Sequence, residues 1–576
     1  RYKGWRKSGG RSGHRVAHMK AAMTAGSGMV ELGRRLCNCV VRSGVTPSLW
    51  VWEVVCPIEK VPGCVDLDKM RPIKLLEVLK KAVAGVLKER HMRGLERMGV
   101  MRGAQYAYQR RMSTGVPLAV MNMCTEWAVM HRREVWDQGH DLAHAFDMPE
   151  YVMGKEVALR RTGVGERYID LVHAMEEGAQ MSIMTAWGLS DQVAGAAGVG
   201  GCEAGWPQGG DESPLGWICT FDIMLSCLED GAVDPFMMEA GDESVGVYGA
   251  AYGDDLRLLS SSRRGAERAL ELAAAVHGFL GLPMRTSKCW VDRLKWEEEG
   301  EMRLIEEEVE GLRYEGVEEA ASGVMKVGCG VSERKYLGEL GNLVLDESRE
   351  VCEQMCEVRR SCEVLRRART AVEGKVEVVN MVLAPRTLYR LRCRYVSRDD
   401  VERLQQPVLA MLREGLRVCG SFSRDLMVGS RRHRMVGIEC WWGRVMQEKL
   451  GMLVSMLMSP GWCDAGRVMR VWMRRLEESA GVRGGLMEGG YVGCEEYERT
   501  WLGQLLGWMQ EVGVQLVWRG EKEGSVGGVM LAECVGVRWR EQVLAVSRRA
   551  EVYWVDEVVG RVGGEGDGKL ELGGAG

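Results

Sequence analysis

The chain has 576 residues, 46% of them hydrophobic, with 77 Lys and Arg against 81 Asp and Glu for a formal net charge of −4. That hydrophobic content excludes a largely disordered protein, and the length corresponds to roughly three to five domains or subdomains. No run of 18 or more apolar residues occurs, so no membrane-spanning helix and no membrane partner are expected.

Gly (75), Met (36) and Trp (19) are abundant and Phe (5) is scarce, a skew that reads as coding bias. It lets Trp or Met stand where Phe, Leu or Ile is usual. The first residues are Arg1, Tyr2 and Lys3, with neither an initiator Met nor an apolar leader, which reads as a piece of a longer frame. The 19 cysteines are expected to be reduced, and none has zinc-finger spacing.

Residues 1–50 carry ten basic residues and one acidic residue, Glu31. Arg1, Lys3, Arg6, Lys7, Arg11 and Arg15 are interleaved with glycine. This predicts a flexible basic arm able to neutralise phosphates, or else a plain linker.

Further on, His140-Asp141-Leu142-Ala143-His144-Ala145-Phe146-Asp147 reads as a strand ending in a carboxylate. Helical patterns follow, over Glu150–Arg160 and from about Glu166 to Glu177, with Gly163 between them. A glycine-rich loop, Gly205-Trp206-Pro207-Gln208-Gly209-Gly210, lies before a helical run at 216–228. Such a loop lets backbone approach a nucleotide closely.

Ala251-Tyr252-Gly253-Asp254-Asp255-Leu256 predicts strand, tight turn, strand, with two adjacent carboxylates at the turn. Their repulsion would be relieved by a divalent metal. Asp141 on a neighbouring strand would bring a third carboxylate. Three carboxylates can hold two magnesium ions about 3.5–4 Å apart, the arrangement for in-line phosphoryl transfer.

Taken in order, Asp141 with Phe146-Asp147, then Pro207-Gln208-Gly209 with Ser213-Pro214-Leu215, then Tyr252-Gly253-Asp254-Asp255, resemble motifs A, B and C of reverse transcriptases. Ser261–Leu280 resembles the helix after motif C. Gly281 to Lys288 resembles motif D, and Lys335-Tyr336-Leu337-Gly338 resembles motif E. Upstream, Arg71-Pro72-Ile73-Lys74-Leu75-Leu76 and Gln105-Tyr106-Ala107-Tyr108 with Ser113-Thr114 resemble segments of the fingers. Pro385-Arg386-Thr387-Leu388-Tyr389 is similar to the thumb of the non-LTR retrotransposon and group II intron type. The resemblance spans roughly residues 50–450.

It implies a right-hand polymerase, α+β and helix-dominant, with an antiparallel palm sheet and a helical thumb. The implied division is a basic arm (1–50), fingers (51–140), palm with finger insertions (141–340), thumb (341–450), and a C-terminal region of unknown role (451–576) with a disordered tail from about 563. By resemblance, Asp141 and Asp254 bind two Mg2+ ions, with Mn2+ as a substitute, and Asp255 completes the metal site. Phe146 is the steric gate against a ribose 2′-OH. Lys60 and Arg71 hold the triphosphate. Gln208, Gly209 and Tyr252 line the nucleotide and template pocket, and Lys288 is a proton donor to pyrophosphate.

The implied activity is RNA-directed DNA synthesis from a primer 3′-OH. The implied partners are an RNA template, a DNA or RNA primer, dNTPs and the parent element's own RNA, inside the cell and chiefly in the nucleus. Two alternatives stay open. Gly253 is the form usual in RNA-copying RNA polymerases, although Phe146 stands where those enzymes usually carry Asp. A decayed or domesticated relative that only binds RNA is the other. Arg431, Arg432 and Arg434 beside His433 form a basic cluster that could touch a nucleic-acid backbone. No RNase H, endonuclease or zinc-knuckle pattern is found in 451–576.

Overall fold

The computed structural model describes residues 9–24, 27–60, 62–64, 66, 69–109, 112–143, 145–149, 151–191, 194–195, 205–296, 311–314, 323–346, 348–429, 435–459, 462–482, 486, 495–520 and 568–574. Arg1, Lys3, Arg6 and Lys7 of the basic start, His144, Glu150, and the cluster around Arg431 lie outside the described residues.

Among the described residues, from Gly9 onward, the N-terminal region departs from the expected flexible arm. Helices α1 (Val16–Thr24) and α2 (Ser27–Ser43) occupy most of it. The segment before α1 is anchored. The Arg11 guanidinium lies 3.5 Å over the Trp52 ring, and Ser12 donates to Glu77 from its N–H (2.8 Å) and its hydroxyl (2.7 Å). A cation on an indole face and a charge-assisted pair of hydrogen bonds are enough to order a short polar segment.

A first sheet has the order β2-β1-β4-β5, from β1 (Trp52–Glu59), β2 (Met70–Leu75), β4 (Gln180–Thr185) and β5 (Gly188–Leu189). The short β6 (Ala194–Gly195) also pairs with β4. Strands β1 and β2 pair antiparallel, which sets Arg71 opposite Ile58. Helices α3 (Val78–Met98) and α4 (Gly115–Met130) follow β2. The sequence of α4 is apolar on most of its circumference, with Asn122, Thr125 and Glu126 as its polar residues, and the helix is buried on nearly every side.

The central sheet has the order β14-β11-β3-β10-β9. Its middle strand is β3 (Val135–His140), wholly buried. On one side lie β10 (Asp255–Ser260) and β9 (Gly249–Tyr252); on the other lie β11 (Trp290–Leu294) and β14 (Val327–Cys329). The expected antiparallel sheet is met at β9-β10-β3-β11, while β11 and β14 pair parallel. The start of the third expected unit, placed at residue 141, falls one residue past β3, so the strand that delivers Asp141 belongs to this sheet.

A polar strand survives in the core because most of its groups are paired, His140 Nδ1 being an exception. Arg257 donates to Asp137 at 2.6–3.0 Å, and Gln138 Nε2 donates to the Ala266 carbonyl at 2.7 Å. Opposite Asp137, Asp292 is held by Arg334 at 2.6 and 2.7 Å. Gly139 faces Trp290 across the pair. A Cβ there would come within 2.3 Å of the indole, so the strand needs glycine to seat that ring.

Helices α5 (Ala158–Arg161) and α6 (Glu166–Glu176) follow a π-helical turn at Tyr151–Val157, and Gly163 takes the left-handed conformation between them. Helices α7 (Ser213–Gly231) and α8 (Arg263–Phe279) pack on each other, and α8 lies against β3 and β10. The Ser262 hydroxyl caps α8 by accepting the Gly265 N–H. The hairpin Arg334–Tyr336 and Glu339–Gly341 turns through Leu337 and Gly338, both at positive φ, and Tyr389 Oη ties it down by donating to the Leu337 carbonyl at 2.9 Å.

From Ser348 onward the chain is helical: Ser348–Arg367, Val372–Val378, Ala384–Leu388, Arg398–Leu416, Trp441–Leu457 and Asp464–Ala480, then Trp501–Val512. The expected division at residue 450 has no counterpart. The helix Asp464–Ala480 packs on α4 and on the hairpin Phe236–Ala240/Glu243–Val247. The buried Glu126 of α4 accepts the Trp501 N–H with both oxygens, at 2.9 and 3.1 Å. Trp501 Nε1 donates to the Arg392 carbonyl (2.9 Å). The C-terminal tail also departs from expectation. Gly568–Gly574 pairs antiparallel with Val514–Gly520, since Lys569-Leu570-Glu571-Leu572 alternates with the period of a strand.

Burial pushes the Glu126 carboxyl up to about 8 and the Asp464 carboxyl up to about 7. Both bind their proton more tightly in the fold than in the unfolded chain. Their contribution to stability is therefore complete below the ordinary carboxylate range and is lost as pH rises through 7–8. The melting temperature is expected to fall by several degrees between pH 6 and pH 9. Glu126→Gln, which keeps an acceptor for Trp501 and removes the titration, should flatten the decline in a series of thermal melts.

Candidate active site

The register of the central sheet builds the site. Leu256 pairs with His140, so Asp141 leaves the end of β3 beside the β9–β10 hairpin that carries Asp254. The backbone of Asp141 is clamped by the segment after α8. Arg285 N–H donates to the Asp141 carbonyl at 2.8 Å, and Ala143 N–H to that of Pro283 at 2.8 Å. The same segment brings Lys288 Nζ within 3.6 Å and Arg285 within 3.9 Å of Asp141 Oδ2. Both distances exceed a hydrogen bond. Asp141 Oδ2 is itself buried and has no hydrogen-bond partner.

Burial pushes the Asp254 carboxyl above its ordinary range. Asp141 adds to the rise, while the residue's own backbone N–H and Arg71 pull it back. Two crowded carboxylates, one with a buried oxygen that accepts no hydrogen bond, form a donor set that suits a hard divalent cation.

Asp255 stands apart. It begins β10, opposite Tyr252, and its side chain is exposed. The protein mass around the hairpin, with Asp254 and Asp141, pushes its carboxyl up to about 6. Among the described residues no three His, Cys, Asp or Glu side chains are gathered closely enough to hold a metal. Of the expected set of three carboxylates two line the cleft: Asp254 lies in the two-residue turn beside Asp141, whereas Asp255 already begins β10 and does not line it. Tyr252 packs against the core beside Asp255 and does not line the cleft.

The cleft has a volume of about 570 Å3 and gathers the other eight expected residues: Lys60, Arg71, Asp141, Phe146, Gln208, Gly209, Asp254 and Lys288. The two acids lie at one end of the sheet, and β2 brings Arg71. Phe146 is held from both sides. Its ring stacks on Trp217 of α7 (4.9 Å between centroids) and meets Tyr108 edge-on at 6.4 Å. Its carbonyl accepts the Trp206 N–H at 2.6 Å.

The glycine-rich loop is clamped between the two sheets. Lys74 N–H donates to the Gln208 carbonyl at 2.7 Å, and the Gln208 amide donates to Asp147 at 2.7 and 2.8 Å. Gly209 has φ +131°, and a Cβ there would sit 2.3 Å from the Lys74 carbonyl. Gly209→Ala is therefore expected to push β2 and Arg71 outward. Calorimetry with inorganic triphosphate as an anionic probe should show binding weakened about tenfold, since that strand brings Arg71 to the cleft.

Sequence reasoning gave no role to Asp147, Tyr108 or Arg285, which also line the cleft. Each sits inside a quoted motif: Asp147 directly after Phe146, Tyr108 at the end of the Gln105 segment, and Arg285 three residues before Lys288. Tyr108 has φ +59°, rare for a bulky side chain, and such strain concentrates at functional sites.

No family model matches the chain, and no curated protein matches it in sequence. Among solved structures it is similar to apo telomerase from Candida tropicalis, with 10% identity, a TM-score of 0.35, and coverage of 74% of this chain and 64% of that one. It is also similar to telomerase from Candida albicans in complex with a TWJ fragment of telomeric RNA: 8% identity, TM-score 0.34, 81% and 66% coverage. A third is the C. tropicalis apo telomerase truncated from its C-terminal domain, with 11% identity, TM-score 0.32, and 55% and 60% coverage. The chain thus spans less than two thirds of the length of these telomerases. At such TM-scores the likeness is one of outline, and the functional reading rests on the site itself.

Proposed function

We propose that the chain is a template-dependent nucleotidyltransferase, and specifically an RNA-directed DNA polymerase of retroelement type. The observation that carries the reading is the composition of one cleft. Asp141 and Asp254 stand at one end, Lys60, Arg71, Arg285 and Lys288 around them, and Phe146 with the Gln208–Gly209 loop between. Acids that can hold a divalent cation, bases that match a triphosphate and an aromatic wall for a sugar are what nucleotidyl transfer requires. A cleft of about 570 Å3 accommodates a nucleotide.

In this reading Asp141 and Asp254 would hold Mg2+, which supplies activation of the primer hydroxyl and neutralisation of the leaving group. Arg71 and Lys60 bind and orient the triphosphate as charge-assisted donors. Lys288, at the mouth of the cleft, gives a proton to the departing pyrophosphate. Phe146 bars the 2′-OH, and Asp147 fixes the Gln208 amide so that the loop presents a rigid floor to the base pair. Asp255 acts on the hairpin's charge balance rather than as a ligand within the cleft.

The test is primer extension on poly(rA)/oligo(dT) with Mg2+, comparing dTTP with UTP. Extension with dTTP alone is the expected result. Extension with UTP would make the protein an RNA polymerase. No extension by folded protein that still binds RNA would make it a binding protein.

A further inference from the structure

We infer that Gln105 is a positioning residue that sets the Asp254 carboxylate by clasping the Gly253 peptide from both sides; the inference rests on the polymerase reading of the cleft. Gln105 is fully buried and forms a parallel bridge with Ala251 of β9. Its Oε1 accepts the Gly253 N–H (3.1 Å) and the Ala107 N–H (3.0 Å). Its Nε2 donates to the Gly253 carbonyl at 3.4 Å. Two backbone bonds fix the segment alongside the hairpin: Tyr106 N–H to the Ala251 carbonyl (2.9 Å) and Ala251 N–H to that of Ala104 (2.7 Å).

The tip of the hairpin has reason to need such a clasp. Only Gly253 and Asp254 separate the paired residues Tyr252 and Asp255, and Gly253 has φ +71°. Gly253 is buried, yet a Cβ on it would meet nothing within 4 Å, so no group packs against the turn on that side. Until a cation is present, Asp254 and Asp141 repel each other, and a free tip would relax by turning Asp254 away. The Gln105 amide opposes this. It has a donor and an acceptor at the right spacing to bond both the N–H and the C=O of one residue, so it fixes the peptides on either side of Gly253 and with them the direction of Asp254.

The experiment uses the full chain with Gln105→Asn, Gln105→Leu, Gln105→Glu and Asp254→Asn. Mn2+ binding is measured by electron paramagnetic resonance without nucleotide, and kcat and nucleotide KM by primer extension. Thermal melts select the variants that fold. Gln105→Asn keeps the polarity but falls one methylene short of Gly253, so it decides the matter if Gln105→Leu does not fold.

The expected result for Gln105→Asn is Mn2+ affinity weakened about tenfold and kcat lowered tenfold or more, with nucleotide KM within twofold of wild type. Gln105→Glu, which keeps the acceptor for both N–H groups, should recover most of the Mn2+ affinity. Wild-type Mn2+ affinity in folded Gln105→Asn overturns the inference, even if the melting temperature falls, because Gln105 would then only pack. Absence in the wild type of any Mn2+ binding that Asp254→Asn removes overturns it too. If the wild type binds Mn2+ through Asp254 but extends no primer, the polymerase reading fails while the Mn2+ comparison still decides the role of Gln105.

Discussion

Asp254→Asn is expected to lower primer extension at least a thousandfold, about 4 kcal/mol of transition-state stabilisation, while leaving RNA binding nearly intact. The amide has the shape of the carboxylate and lacks its charge, so in the proposed reading a divalent cation would lose one of its two anionic holders in the cleft. The effect on folding should be the reverse of the effect on activity. Asp254 is half-buried, and burial first, then the charge of neighbouring Asp141, raise its pKa. Removing the charge relieves the repulsion, and the melting temperature should rise by about 1–2 °C. Asp255→Asn is the informative companion. That carboxylate is exposed and does not line the cleft, so its loss should cost about tenfold, by altering the charge around Asp254. A thousandfold loss in both variants would return Asp255 to the metal site and require the hairpin to turn when the cation binds.

The motif residues were legible because each pairs an unusual local demand with a chemical group. A strand that ends in Asp141, a turn with Gly253 before two acids, and a glycine loop carrying Gln208 are patterns that few other structures need. What joins them was not legible. The clamp of Lys74 on Gln208, the bond from Gln208 to Asp147 and the clasp of Gln105 on Gly253 link residues 61 to 148 positions apart, or cross between the two sheets. Nothing in local periodicity reports such contacts. The order of the N-terminal region from residue 9 onward is illegible for a related reason. Its charge suggested a free arm, but order there comes from Trp52 and Glu77, which lie far along the chain. The C-terminal helices were left without a role because their partners are Glu126, Arg392 and Val396, in segments assigned to other units. The separation of Asp255 from the cleft depends on where the turn ends and β10 begins, which the run Gly253-Asp254-Asp255 does not fix without the pairing of Asp255 with Tyr252.

Phe146→Val is expected to reduce the preference for deoxynucleotides over ribonucleotides about a hundredfold, close to 3 kcal/mol, with kcat for dTTP changed less than about fivefold. A steric gate works only if its ring cannot yield. Phe146 is backed by Trp217, which in turn stacks on Phe221 at 5.6 Å, and its free edge is closed by Tyr108. The backbone is also fixed, by the Trp206 N–H and by Gly205, where a Cβ would come within 2.4 Å of the Phe146 carbonyl. A 2′-hydroxyl pressing on this ring would have to displace a ladder of three aromatic rings, which a close-packed interior resists. Valine removes the ring and leaves a gap on the cleft side. The substitution should also cost about 1–2 kcal/mol of stability through the lost stacking on Trp217. Competition of dTTP with UTP on one template measures the preference, and a thermal melt measures the cost. Stability loss with unchanged sugar preference would make Phe146 a core residue and shift the search for the gate to Tyr108, the other aromatic ring that lines the cleft. Tyr108→Phe serves as the control. It keeps the edge against Phe146 and removes only the hydroxyl, so sugar discrimination should stay at the wild-type level if Phe146 is the gate.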